Sequence, residues 1–400
     1  MVSVVTRGRI AVALGVMLLM GTFAAPIHDS LASSRPPPPL GDSAMEPETT
    51  GREPDAQKPP TLGVQFHATW SMYYRSDSST TPNEMYYRHL DALARNGVSL
   101  LRVDVGWSTS QPNPELPTAE RWYNKRIQTL LQEASNRNMR VLLTVHQSPE
   151  WSRAGGGGVK QFPDDPNSIA PWLRWMAEQY GDQVAAWEIW NEPNLTEFTG
   201  IEDDTEAARR YTALLKVSAT ALRSVLPEVK VIYGGPSQSD DDFIEETYKN
   251  GAKDYFDVLA VHPYQDDQTV EPEKSDRGKP GRVMHFPEVL EVMAKYGDEN
   301  KPVWWTEFGY SVHANTGGEE SWRKGVPTNE VSADYYRRTF ELARKYWPQV
   351  QVAVMYTAYS PENGGPHQHG YRILEADGTV LPQLREMESY MSLNKSGRTW

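Results

Sequence analysis

Val184-Ala185-Ala186-Trp187-Glu188-Ile189-Trp190-Asn191-Glu192-Pro193-Asn194 is an apolar run, broken by Glu188 alone, that meets a polar end at Asn191 and Glu192. A near-continuous apolar run of this length suits a parallel strand buried on both faces. A helical pattern follows over residues 205–226, where Tyr211, Leu214, Leu215, Ser218, Leu222 and Val225 share one face. Asp203 and Glu206 supply its start signal. The same alternation recurs in both directions. Strands are expected at 62–67, 100–105 and 139–146 upstream, and at 229–234, 256–262, 302–307 and 350–357 downstream. Helical patterns lie at 83–96, 119–137, 168–180, 241–250, 286–296, 329–347 and 381–390. Eight strands, each followed by a helix, predict an α/β chain closed into a single (β/α)8 barrel rather than an open doubly wound sheet. No G-x-G-x-x-G follows the first strand, which argues against a dinucleotide site.

Composition narrows the function. The 53 acidic against 40 basic residues give a net charge of −13, which offers phosphates no positive field. Nucleic acid and anionic lipid are therefore not expected partners. The chain has no cysteine, so disulfides, thiolate chemistry and cysteine-ligated zinc are excluded. Arg7 and Arg9, the apolar run 10–20 and the small residues Ala24 and Ala25 have the layout of a signal peptide, expected over residues 1–32. An uncleaved anchor is the alternative, although the run is short for a spanning helix. Residues 33–60, with Pro36 to Pro39 in succession, should form an extended, disordered linker. The barrel domain then occupies 61–400, and the mature chain is expected to be secreted and monomeric. For the export, N-terminal sequencing of secreted material is decisive: the mature chain is expected to begin after Ala24 or nearby.

In such barrels the reacting groups stand at the C-terminal ends of different strands. The fourth strand ends at Asn191 and Glu192; the seventh ends Trp304-Trp305-Thr306-Glu307-Phe308-Gly309-Tyr310. Each places a carboxylate at a strand mouth among aromatics. Cleaving a glycosidic bond needs one carboxyl protonated, to help the leaving oxygen depart, and one ionised, to meet the sugar carbon. Two carboxyls held close cannot both ionise freely, so one is pushed up and becomes the acid. Glu192 and Glu307 are 115 positions apart, and a closed barrel would bring them together.

The W-E-I-W-N-E-P-N motif, with T-E-F-G-Y at the seventh strand, resembles clan A of the retaining glycoside hydrolases. The chain looks most similar to family 39 and its cellulase-like neighbours in family 5, over Thr61 to Met391. The resemblance implies Glu192 as acid/base and Glu307 as nucleophile. It also implies Asn191 as a partner of the sugar 2-hydroxyl, Arg102 as the cation that keeps Glu307 ionised, and Tyr264 as its hydrogen-bond donor. His262 and His146 are companions near the same sugar. Trp151, Trp107 and Trp322 are candidate stacking platforms, and Tyr356 stands where much of the clan has tryptophan. The partner is thus a carbohydrate; no cofactor or metal is expected, since H-x-H at His367 and His369, with His313, is a weak ligand set. Family 39 xylosidases usually carry a β-sandwich after the barrel, whereas this sequence stops at Trp400, so a compact enzyme is expected.

Several further expectations follow. Glu188 should be a buried structural group paired with Arg102. Trp305 should lie in the barrel core beneath the site, and Trp304 should face the helices. The Gly155–Gly158 run is a candidate lid or a plain spacer. A transglycosidase and a non-catalytic carbohydrate-binding barrel are the alternatives to a hydrolase.

Overall fold

The computed structural model describes residues 58–76, 80–274 and 276–394. The expected signal peptide and nearly all of the linker lie outside them. Among the described residues, eight parallel strands alternate with eight principal helices. These are β1 (Thr61–Gln65), α1 (Glu84–Arg95), β2 (Leu100–Gly106), α2 (Trp122–Ser135), β3 (Arg140–His146), α3 (Ala170–Tyr180), β4 (Ala186–Ile189) and α4 (Asp204–Arg223). The second half has β5 (Val231–Tyr233), α5 (Asp241–Lys249), β6 (Leu259–Val261), α6 (Phe286–Lys295), β7 (Val303–Phe308), α7 (Asn329–Tyr346), β8 (Val350–Met355) and α8 (Pro382–Leu393). Every expected element is present. No helix among the described residues is long and apolar enough to cross a membrane.

The strands pair in the order β5-β4-β3-β2-β1-β8-β7-β6. The β5–β6 seam is closed by an Ile232–Val258 bridge and by Tyr233 N–H donating to the Val258 carbonyl at 3.0 Å. The result is a TIM barrel. Four of its helices start where short polar side chains accept an otherwise orphaned N–H: Asn83 from Tyr86, Asp203 from Glu206, Asp240 from Phe243 and Thr328 from Val331.

Side-chain alternation along the strands separates two cores. Leu100, Leu142, Ala186, Ala260, Trp304 and Val352 fill the barrel interior. Two residues further along the same strands, facing the same way, stand Arg102, Thr144, Glu188, His262 and Thr306, all buried. An apolar plug therefore carries a polar tier, and the mouth opens above it.

Two expectations are corrected here. Trp304, not Trp305, lies in the barrel interior; Trp305 packs outward against Phe286 (5.4 Å between ring centroids) and Trp347 (5.8 Å). The alternation is broken by register shifts between β7 and β8, one of them between Trp305 and Phe308. This irregularity lets Thr306 reach His262 while its neighbour Glu307 also turns to the mouth. Strands β4, β5 and β6 are also shorter than their apolar runs. β4 stops because Trp190 takes φ 75°, and β5 because Gly234 and Gly235 follow it.

Candidate active site

Arg102 on β2 organises the polar tier. It is fully buried, and its guanidinium donates from Nε to Glu188 Oε2 (2.7 Å), from Nη1 to Gln65 Oε1 (3.0 Å) and from Nη2 to Asn191 Oδ1 (2.8 Å). Nη1 also donates to Glu307 Oε1 in a short contact. Acceptors on β1 and β7 and along and just beyond β4 fix the plane of the guanidinium, and its donors in turn fix the position of Glu307. Burial alone would favour loss of its charge, but Glu188, Glu307 and Asp104 outweigh that and hold it cationic. Glu188, paired as expected, also accepts from Thr144 Oγ1 (2.6 Å) and from the Gly235 N–H (3.3 Å).

Glu192 reaches the mouth through unusual backbone. Trp190 and Glu192 both have positive φ, 75° and 43°, a conformation that costs a residue with a side chain about 1–3 kcal/mol. The surroundings impose it. Trp190 Nε1 donates to the Phe198 carbonyl (2.8 Å), and Glu192 N–H donates to the Gly235 carbonyl (3.0 Å). A Cβ on Gly235 would lie 2.7 Å from the His262 ring, so only glycine allows this approach. His262 is fully buried, its Nδ1 3.2 Å from Glu192 Oε1 and its Nε2 3.1 Å from Thr306 Oγ1. A Thr306 hydroxyl donating to Nε2 leaves Nδ1–H to face Glu192.

Glu307 accepts from the Tyr264 hydroxyl at Oε2 (3.1 Å) as well as from Arg102. One oxygen of Glu192, one of Glu307 and a ring nitrogen of His262 all lie within 4.8 Å of one another. The barrel thus brings the two carboxylates together. Arg102 was expected to hold Glu307 firmly ionised; instead its carboxyl is pushed up. Burial is the largest cause, with Glu192 and Asp104 acting the same way, against the downward pull of Arg102 and His262. With two carboxyls this close, the proton belongs to the pair.

That direction has a consequence for stability. Below the ordinary carboxylate range both folded and unfolded chains carry the Glu307 proton, and nothing is lost. As pH rises toward the raised folded value, the unfolded chain releases its proton first and stability falls. Glu307→Gln, which cannot ionise, is therefore expected to melt above wild type at pH 7 and level with it near pH 3. A lower melting temperature at pH 7 would contradict this placement of the carboxyl.

The remaining candidates divide. His146, ending β3, is buried and pushed down to about 4 by desolvation, and neither ring nitrogen has a hydrogen-bond partner. Tyr356 is half-buried beside Tyr264 and Tyr371, and burial, reinforced by Glu307 and Asp104, keeps its hydroxyl protonated. Trp151 is half-buried, with its indole N–H donating to the Gln111 carbonyl (3.2 Å). Trp107 is fully buried in a stack on Trp172 and cannot meet a sugar, because the chain after β2 turns helical and folds the ring inward. Trp322 packs edge-on against His367. His313 and His367 approach to 3.4 Å, whereas His369 Nδ1 bonds the Ser360 carbonyl, so the three do not converge. Arg153 donates to the Gly156 carbonyl (2.9 Å), which tethers the glycine run.

Sequence reasoning missed a second cluster. Asp104, two residues beyond Arg102 on the same face of β2, accepts at Oδ2 from Gln65 Nε2 (2.8 Å) and lies 3.2 Å from His67 Nδ1. Burial opposes its charge, but His67, Arg102 and His146 hold its carboxyl well below the usual range. Trp70, half exposed at 50%, stands 4.9 Å from the His67 ring. Period-two alternation from Arg102 was the available signal for Asp104.

Residues 63–342 match the model of the cellulase family, glycosyl hydrolase family 5. A β-xylosidase of Caldicellulosiruptor saccharolyticus is 30% identical over 146 residues, 32% of this chain and 28% of that one. The chain therefore matches less than a third of that relative. A family 39 glycoside hydrolase from Bacteroides cellulosilyticus WH2 superposes with a TM-score of 0.62 at 20% identity, covering 84% of this chain and 64% of that one. A Streptomyces cattleya protein of subfamily GH5_18, in complex with GlcNAc, gives 0.64 at 18% identity over 86% and 82%. At these identities the structural likeness speaks for the barrel.

Proposed function

We propose, for a chain that belongs to the cellulase family of glycoside hydrolases (glycosyl hydrolase family 5), that it cleaves a β-linked oligo- or polysaccharide outside the cytoplasm with retained configuration. The observation that carries the reading is the spacing of Glu192 and Glu307, whose nearer oxygens lie within 4.8 Å. Inverting enzymes hold their carboxyls about 6.5–9.5 Å apart to admit a water, and retaining ones about 5–5.5 Å. Glu307 attacks the anomeric carbon as Glu192 passes its proton to the departing oxygen, so one C–O bond forms as the other breaks. Water then gives a proton to Glu192 and attacks the same carbon, and Glu307 leaves as carboxylate. Arg102 and Tyr264 receive the negative charge that returns to Glu307. Asn191, its Oδ1 held by Arg102, keeps its amide N–H group for the sugar 2-hydroxyl.

The β-xylosidase relative supports a β-xyloside; a β-glucan and an exopolysaccharide are the alternative β-linked substrates, and an α-L-arabinofuranoside can present the same geometry to this pair. Purified protein is to be screened against plant and bacterial glycans, with proton NMR of the first-formed product. Release of sugar with retained configuration is expected. Inverted product would overturn the double displacement while leaving the family unchanged.

A further inference from the structure

Apart from Arg102 on β2, the reaction as proposed uses the side of the mouth built by β4, β6 and β7. The opposite side carries a built site that it leaves idle. Asp104 Oδ2 is occupied by Gln65 and His67, but Oδ1 accepts no hydrogen bond among the described residues. Oδ1 lies 3.9 Å from Arg102 Nη1 and 4.0 Å from His146 Nε2, both too long for a direct bond. His146 is a buried ring with two unpartnered nitrogens, an arrangement that costs free energy unless something else fills it. The half-exposed Trp70 ring lies beside His67 at the same edge.

We propose, on the reading above, that Asp104, flanked by His67 and His146 and floored by Trp70, is the specificity-determining reader of a free hydroxyl on the sugar attacked by Glu307, and that it selects neutral sugars over uronic acids. A sugar hydroxyl is both donor and acceptor, and it can donate to Asp104 Oδ1 while accepting an imidazole N–H. A carboxylate can only accept and would meet the Asp104 charge. An ether or a missing hydroxyl would leave Oδ1 desolvated without a donor. Apolar sugar faces stack on an indole, which gives Trp70 its place. Arg102 couples the two sides, since its Nη1 bonds Glu307 and lies near Asp104.

The test compares kcat/KM for the 4-nitrophenyl β-xyloside, β-glucoside and β-mannoside, the 3-deoxy and 4-deoxy analogues of the best of them, and 4-nitrophenyl β-glucuronide. Wild type is expected to lose about 10²-fold or more on one deoxy analogue and to reject the glucuronide. Asp104→Asn should lose about as much on the parent sugar, yet stay within about threefold of wild type on that deoxy analogue, because the contact is already gone. His67→Gln should repeat the pattern more weakly if Asp104→Asn fails to fold. An equal loss on parent and deoxy sugars would reduce Asp104 to a support for Arg102 and overturn the proposal, as would ready cleavage of the glucuronide. If wild type cleaves none of these sugars and releases none from the plant and bacterial glycans, the hydrolytic reading fails. The hydroxyl-reading contrast is then read separately, by calorimetry of the same sugars on Glu307→Gln with and without Asp104→Asn.

Discussion

Glu307→Gly is expected to abolish turnover, lowering kcat by about 10⁴- to 10⁶-fold, the range in which loss of a catalytic nucleophile falls. The Glu307 carboxylate accepts from both Arg102 Nη1 and the Tyr264 hydroxyl, and in the proposed reaction it is the group that meets the anomeric carbon. Removing it leaves a space lined by those two donors. Azide is then expected to enter that space and restore turnover of an activated aryl glycoside, giving the glycosyl azide of inverted configuration. Glu192→Ala should behave oppositely. It should spare the first step when the leaving group needs no proton, and azide should then yield the product of retained configuration. Product configuration by NMR separates the two variants. Full activity in either, or the same azide product from both, would unseat the assignment of roles.

Arg102→Leu is expected to destabilise the fold by about 3–5 kcal/mol, the cost of leaving a buried charge without its partner. Glu188 is fully buried and would keep only the Thr144 hydroxyl and the Gly235 N–H as donors. Urea unfolding at pH 7 measures the loss, which should shrink in acid as the buried carboxylates take up protons. The double variant Arg102→Leu/Glu188→Leu should regain part of the stability, because it removes the fully buried unpaired charge while Glu307 and Asp104 still lack their cation. It should regain no activity, since Glu307 would remain unsupported. A single variant as stable as wild type would mean that Arg102 organises nothing.

The barrel was legible because each strand is an apolar run with a polar end, and each helix shows one apolar face. The two carboxylates could be read because both stand at strand ends. What the sequence concealed arose where backbone departs from regular alternation. The Trp304/Trp305 inversion comes from the β7 register shift, which turns Thr306 and Glu307 to the same side. The short β4 comes from Trp190 and Glu192 in left-handed backbone, held by Phe198 and Gly235, neither of which a local pattern announces. Asp104 escaped for a different reason: a charged residue inside an apolar run reads as structural, as Glu188 does. Only the tertiary setting shows that one of its oxygens is taken and the other is open.

Among the described residues, Arg102 is the one permanent cation paired with Glu188, Glu307 and Asp104, with Glu192 close by. The resting mouth is therefore short of a counter-ion. In the proposed reaction the sugar supplies it, since positive charge grows on the ring at the moment the glycosidic bond gives way. The field that makes Glu307 an uncomfortable anion is the field that welcomes that charge, and no dipole has to turn to meet it. A flat sugar mimic bearing a protonated nitrogen would find the same vacancy ready-made, and would hold the enzyme by imitating its most fleeting occupant.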